Sequence, residues 1–233
     1  HVTLRRSEVN LWGVLKVLHV FSGASLDDPR QSRDWALTTV WGARLSWHIL
    51  RRNQGKGEDP RYRAMRARRG PAFWWQSLFT VFWLQGAILW FVALPLLVAV
   101  VAPEPSALTL VDGLGLLVFA VGFGFEVVGD HQLERFRADA GNRGQVLDTG
   151  LWRYTRHPNY FGDATMWWGL YATAAATPGG WLTALSPILM TFLLLRVSGV
   201  TLLEKGLKAS RPGYQAYASR TSVFVPWFPH TQR

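Results

Sequence analysis

Across residues 74–102 the chain runs for 29 positions without one charged side chain. About 20 apolar residues in a helix cross the hydrocarbon core of a bilayer, so this run spans one with length left for tilt or a kink at Pro95. A second apolar run covers residues 108–128. Two more, 163–177 and 181–197, face each other across the turn Pro178-Gly179-Gly180. Backbone donors and acceptors inside lipid must be satisfied within the chain, which makes such runs helices. The expected fold is therefore all-α, a polytopic transmembrane helix bundle.

Charge decides how those runs are threaded. The 233 residues carry a formal net charge of +10, which in a water-soluble domain would suggest nucleic acid. Here the basic residues lie between the apolar runs, so the expected partner is a lipid bilayer and not nucleic acid. Lys and Arg number eight in residues 51–72, five in 129–160 and six in 196–233, and none occurs in 102–106 or 178–180. Alternating spans bring the three basic regions to one face, which the positive-inside bias makes cytoplasmic. This predicts an integral membrane protein with its polar site facing the cytoplasm. With no cysteine, disulfides, thiolate catalysis and cysteine-ligated metals are excluded.

Residues 1–35 are expected to be an irregular or truncated segment, with His1 in place of an initiating Met and turn chemistry at Asp27-Asp28-Pro29-Arg30. A clean signal peptide is not evident. Residues 36–228 read as one domain, undivided by any linker or repeat.

The densest polar motif is Gly150-Leu-Trp-Arg-Tyr-Thr-Arg-His-Pro-Asn-Tyr-Phe-Gly-Asp163. His157-Pro158 marks a helix start, because proline at the first helical position gives up a donor the helix would not have used. Asn159 and Asp163 then share one face, four residues apart. Arg153 and Arg156 stand just ahead of a helix N-terminus, where free N–H groups and the dipole favour an anion. The plain alternative is a membrane-interface helix start with snorkelling arginines and a structural cap.

Polar residues at the same membrane level recur elsewhere. Arg44, His48 and Arg51 fall at i, i+4 and i+7 of an otherwise apolar stretch, a costly stripe unless it faces a polar cavity or an anion. Arg51, Arg52 and Lys56 open a basic loop suited to phosphates. Asp130, Leu133 and Arg137 share another helical face, and Arg196 and Glu204 follow near the C-terminus. Together they predict a cytosol-facing cofactor cavity, with arginines for phosphates and carboxylates for ribose hydroxyls. No Ser/His/Asp set, P-loop, GxGxxG or metal-spaced histidine pair is present, so no metal is expected.

The segments Glu126-Val-Val-Gly-Asp-His-Gln-Leu-Glu-Arg-Phe-Arg137 and Gly150 to Asp163 resemble the C-terminal domain of steroid 5-alpha-reductases and sterol reductases. The whole pattern is more similar to a bacterial membrane family of unknown function grouped with them, through Trp41-Gly-Ala-Arg-Leu-Ser-Trp-His48, the 51–62 loop and Leu203-Glu-Lys-Gly-Leu-Lys-Ala-Ser-Arg-Pro-Gly-Tyr214. The resemblance covers residues 36–228. It implies six or seven transmembrane helices holding NADPH. Cofactor contacts would fall on Asp130, Leu133, Arg137, Asn159, Asp163 and Arg196, closed over by Arg44 and the 51–56 loop. Asp163 matches the sterol-reductase version of its position. Three departures stand out: Val200 replaces an expected histidine, Trp41 falls near the ketone-polarising tyrosine, and the partner glutamate has no match in residues 1–35.

The implied activity is NADPH-dependent reduction of a lipid-soluble substrate, an enone or similar polarised double bond, with His48, Tyr160 or a water held by Asp163 as proton donor. An alternative is an S-adenosylmethionine-dependent membrane methyltransferase. Isoprenylcysteine carboxyl methyltransferases and phospholipid methyltransferases share the Arg-His-Pro-x-Tyr-x-Gly pattern of Arg156 to Gly162, though with a pair of acids where this chain has Glu204-Lys205. A non-catalytic membrane protein is the third reading.

Overall fold

The structure, a computed structural model, describes residues 29–55, 57, 60–101, 108–197 and 199–230. Lys56, the apolar run 11–22 and the turn 102–106 lie outside the described residues. Those described are helical, with no strand among them and one isolated parallel bridge between Thr155 and Ser222. They fall into two compact units that part between residues 102 and 103.

In the first unit α1 covers Pro29–Asn53. It starts seven residues ahead of the expected boundary at residue 36. Of the expected turn at residues 27–30, Pro29 and Arg30 are helical, with proline at the first position, where no donor is needed, and Asp27 and Asp28 lie outside the described residues. Asp34 is buried in α1; Arg33 Nε reaches its Oδ1 at 2.9 Å, and the Thr38 hydroxyl donates to its backbone carbonyl. Helices α2 (Pro60–Arg69), α3 (Phe73–Ser77) and α4 (Leu84–Val92) join through a 3-10 turn at Gly70–Ala72 and a π turn at Leu78–Trp83. The result is one helical run whose Tyr62–Val92 portion is long and apolar enough to cross a membrane. Pro95 cannot donate to the preceding turn, and the run bends at Ala93 into α5 (Leu94–Val101), which packs on α1.

The second unit is built on α6 (Leu110–Ala138) and α7 (Pro158–Ala175). A capping box starts α6: the Asp112 N–H donates to the Thr109 hydroxyl, and the Thr109 N–H donates to the Asp112 carboxylate at 2.7 Å. The buried residues Asp112, Gly115, Phe119, Gly122, Glu126 and Gly129 then follow in steps of three and four. Gly162, Met166, Gly169 and Thr173 repeat that rhythm on α7. A 3.5-residue period keeps one seam facing a partner helix, and glycine in that seam lets the backbones close. The approach is tight. A Cβ on Gly122 would lie 2.6 Å from the Gly162 carbonyl oxygen, and one on Gly169 would lie 2.5 Å from the Phe119 nitrogen.

Past α7 the chain turns at Gly179, whose φ of 78° suits glycine, and at Gly180, where a Cβ would fall 1.8 Å from the Ala174 carbonyl oxygen. The returning arm passes through a 3-10 turn at Gly180–Ala184, α8 (Leu185–Phe192), a π turn at Leu193–Val197 and α9 (Val200–Ser210); α10 is Tyr214–Arg220. Leu110–Ala138 and Gly180–Ser210 are also long and apolar enough to cross a membrane. With Tyr62–Val92 they make three such runs among the described residues. Helix α7, expected as a fourth, falls short because Asn159, Asp163 and its small seam residues dilute its apolar character. Each unit exposes apolar residues on these runs, Trp74 and Trp83 in the first and Leu110 and Leu117 in the second, which fit lipid better than water.

Candidate functional site

Three segments of the second unit meet at the Pro158 end of α7: the last turns of α6, the 139–157 loop and the α9–α10 region. The loop is hung from α6 on one side. The Leu151 N–H donates to Gln132 Oε1 at 3.0 Å, and the Trp152 indole donates to the Gly129 carbonyl at 3.1 Å. On its other side the loop is held by residues 217–227. The Tyr217 hydroxyl donates to the Trp152 carbonyl at 2.6 Å, the Thr155 hydroxyl to the Phe224 carbonyl at 2.8 Å, and the Arg156 N–H to the Ser222 carbonyl at 2.9 Å.

So positioned, the loop delivers Arg156 and His157, both buried, to a carboxylate from α9. Arg156 Nε lies 3.2 Å and His157 Nε2 3.3 Å from the same oxygen, Glu204 Oε1. An ionised carboxylate only accepts, so this contact is a hydrogen bond when the imidazole carries a proton on Nε2. The imidazole also stacks on the Tyr160 ring at 5.7 Å with planes 5° apart. The Tyr214 hydroxyl is buried beside this knot; burial, then the Glu204 charge, push its pKa up. Burial and the neighbouring Tyr214 do the same to Tyr217.

One helical step away, Asn159 Nδ2 donates to Asp130 Oδ1 at 3.1 Å, joining α7 to α6. Asn159 Oδ1 accepts from the Tyr160 N–H, which fixes the amide orientation. Asp163 lies one turn further on the same helix, and Leu133 and Arg137 follow Asp130 along α6. Outside the knot, an open groove of about 510 Å³ is lined by Arg196, Thr201, Glu204, Lys205 and Lys208 over the apolar Val200 and Val223.

The expected site residues thus separate. Asp130 meets Asn159; Arg156 meets Glu204; Arg196 and Glu204 share the groove. Arg153 and Arg137 are exposed. Arg44 and His48, half-buried, and Arg51 and Arg52, exposed at the last turn of α1, belong to the first unit. Arg156, expected as an open phosphate partner, directs its Nε into the protein at Glu204. His157, read in the sequence as a helix start and as part of the Arg-His-Pro-x-Tyr-x-Gly pattern, and Tyr214, Lys205 and Lys208 are not among the expected cofactor residues. The first two act across 47 or more residues or through burial, which spacing does not reveal. The lysines stand at i+1 and i+4 from Glu204 and were readable as part of its surroundings.

A family model described as "Protein of unknown function (DUF1295)" matches residues 7–221. Among curated proteins, the chain is similar to uncharacterized protein C594.04c of Schizosaccharomyces pombe, 27% identical over 214 residues. That similarity covers 82% of this chain and 61% of the relative, so the chain spans about three fifths of the relative's length. No solved structure matches it.

Proposed function

The chain belongs to the DUF1295 family, and we propose that it is a membrane-embedded, NADPH-dependent reductase of a lipid-soluble substrate carrying an enone or similarly polarised double bond. The observation that carries this reading is the groove, whose size falls in the range of small-molecule sites. Three cations line it against one carboxylate, and that carboxylate is already matched by Arg156. A ligand with several phosphates suits that imbalance; a cationic sulfonium does not.

The donor set fits the cofactor. Arg196, Lys205 and Lys208 would hold phosphates, and the Asp130–Asn159 pair offers a carboxylate and an amide to ribose or carboxamide groups. When bound, NADPH supplies the hydride. The chain's own contribution is to orient the polarised double bond, exclude water and provide a proton, for which Tyr160 or a water held by Asp163 are the candidates within the second unit. The site would open to the cytoplasm.

A second reading has its own support. Arg156 and His157 of the Arg-His-Pro-x-Tyr-x-Gly segment meet an acid on the last long helix, which suits an S-adenosylmethionine-dependent methyltransferase.

A thermal-shift titration of the full chain in detergent, with NADPH, NADH and S-adenosylmethionine in parallel, separates them. A ligand at a hundredfold excess over its Kd adds about 2.7 kcal/mol to stability. Stabilisation by NADPH, lost in Asn159→Ala and in Arg196→Ala, is the expected result. An unchanged NADPH response in both variants overturns the site assignment. Stabilisation by S-adenosylmethionine alone replaces the reductase with the methyltransferase. No response to any ligand leaves the non-catalytic reading.

A further inference from the structure

The segment after α10 carries a pattern that neither the spans nor the groove absorbs. Residues 222–227 alternate: Ser222, Phe224 and Pro226 are half-buried, while Val223, Val225 and Trp227 are exposed. Phe228 adds to the outward row at 75% exposure. A period of two belongs to extended backbone, and the segment is held extended rather than left as a loose tail. Its carbonyls at Ser222 and Phe224 accept from Arg156 and Thr155, and the Trp227 N–H donates to the Tyr154 carbonyl at 2.9 Å. Phe224 turns inward, edge-on to Phe161 at 5.9 Å, and Phe228 stands edge-on to Tyr154 at 6.0 Å.

Basic grooves flank the row at both ends. Val223 borders the groove that contains Arg196, Lys205 and Lys208. Pro229 borders a second, of about 420 Å³, with Arg153 and Arg220, the latter ion-paired with Asp148. A rigid apolar and aromatic row between cations, at the end of membrane-crossing helices, has the character of an interfacial belt: rings at headgroup depth, cations at lipid phosphates.

We propose that Val223, Val225, Trp227 and Phe228 insert into the headgroup region of an anionic bilayer, with Lys205, Lys208 and Arg153 contacting lipid phosphates. The apolar insertion stands whether or not the reductase reading holds; the phosphate contacts assign to lipid the two lysines, Lys205 and Lys208, that the reductase reading assigns to a cofactor.

The absence of cysteine makes the test direct. Val225→Cys and Trp227→Cys give the full chain a single thiol each for a nitroxide spin label. In nanodiscs containing phosphatidylglycerol, both labels should collide more often with oxygen than with a water-soluble nickel chelate, the signature of membrane depth. Arg143→Cys on the exposed loop provides the aqueous reference, and Leu117→Cys on the outer face of α6 the deep one. Labels at 225 and 227 should read between them. They should become shallower in phosphatidylcholine alone, or when Lys205 and Lys208 are both replaced by Gln. Water-like collision rates at both positions overturn the proposal. Low collision with both reagents also overturns it, because the row is then covered by protein. Depth that ignores both lipid charge and the lysine replacement overturns the phosphate contacts.

Discussion

Helix α7 is held in two different ways along its length, and the contrast explains what each part tolerates. From Gly162 to Thr173 it lies against α6 at glycines that bring backbone close to backbone, with Phe119, Met166 and Thr173 packed between them. At its Pro158 end it is held by side chains that span gaps: Asn159 to Asp130, and Arg156 and His157 to Glu204. The seam is steric and close to all-or-none. The knot is a sum of polar contacts, each removable at a finite cost. A protein that must keep a frame while presenting adjustable chemistry benefits from that division.

The largest effect belongs to the seam. Gly162→Leu places a side chain where even a Cβ would sit 2.5 Å from the Glu126 nitrogen and the Gly122 carbonyl oxygen. It should yield no monodisperse protein by size-exclusion chromatography. Gly124→Leu, on the same helix pair but facing open space, should purify like wild type. Equal behaviour of the two would refute the seam as the organising contact.

Next comes the knot. Glu204→Ala leaves the Arg156 guanidinium buried without its carboxylate, a class of change that costs about 3–5 kcal/mol. Glu204→Gln keeps an acceptor and should melt between that variant and wild type. Identical melting of all three proteins would remove Glu204 from the structural account.

The smallest effect is at the loop. Tyr217→Phe removes the donor to the Trp152 carbonyl, worth about 1 kcal/mol. The same tyrosine predicts a pH dependence. Its folded pKa is raised above the ordinary value of 10.0 by burial and by Tyr214. The native state therefore holds the phenolic proton when the unfolded state has released it. Stability is complete below about pH 10 and falls as pH rises above it. Thermal melts across that window should show a shallower alkaline decline for Tyr217→Phe. An unchanged slope would separate Tyr217 from the decline.

What was legible in the sequence was local. Apolar runs announce spans, Pro158 announces the start of α7, and Pro178-Gly179-Gly180 announces the turn, because each acts through its immediate neighbours. The glycines at 115, 122 and 129 were also plain to read, but average hydropathy treats them as dilution, whereas their spacing carries the fold. The polar contacts were hidden for another reason. Asp130 and Asn159 are 29 residues apart and Tyr217 and Trp152 are 65 apart, and only packing says that they meet. Arg156 looked like a free cation for the same reason, since its acid comes from α9. Pro29 and Arg30 read as part of a turn yet begin α1, because proline suits a turn and the first position of a helix equally.

The distance between Trp152 and Tyr217 has a consequence for biosynthesis. Chains are made and inserted from the N-terminal side, so the α6–α7 seam can close while residues 217–227 are still unmade. Until they arrive, the 150–157 loop is tethered only through Gln132 and Gly129, and Arg156 has no Glu204. Assembly of the polar knot therefore lags closure of the seam, and a ribosome stalled before α9 would hold a chain whose helix pair is packed while its knot is still unmade.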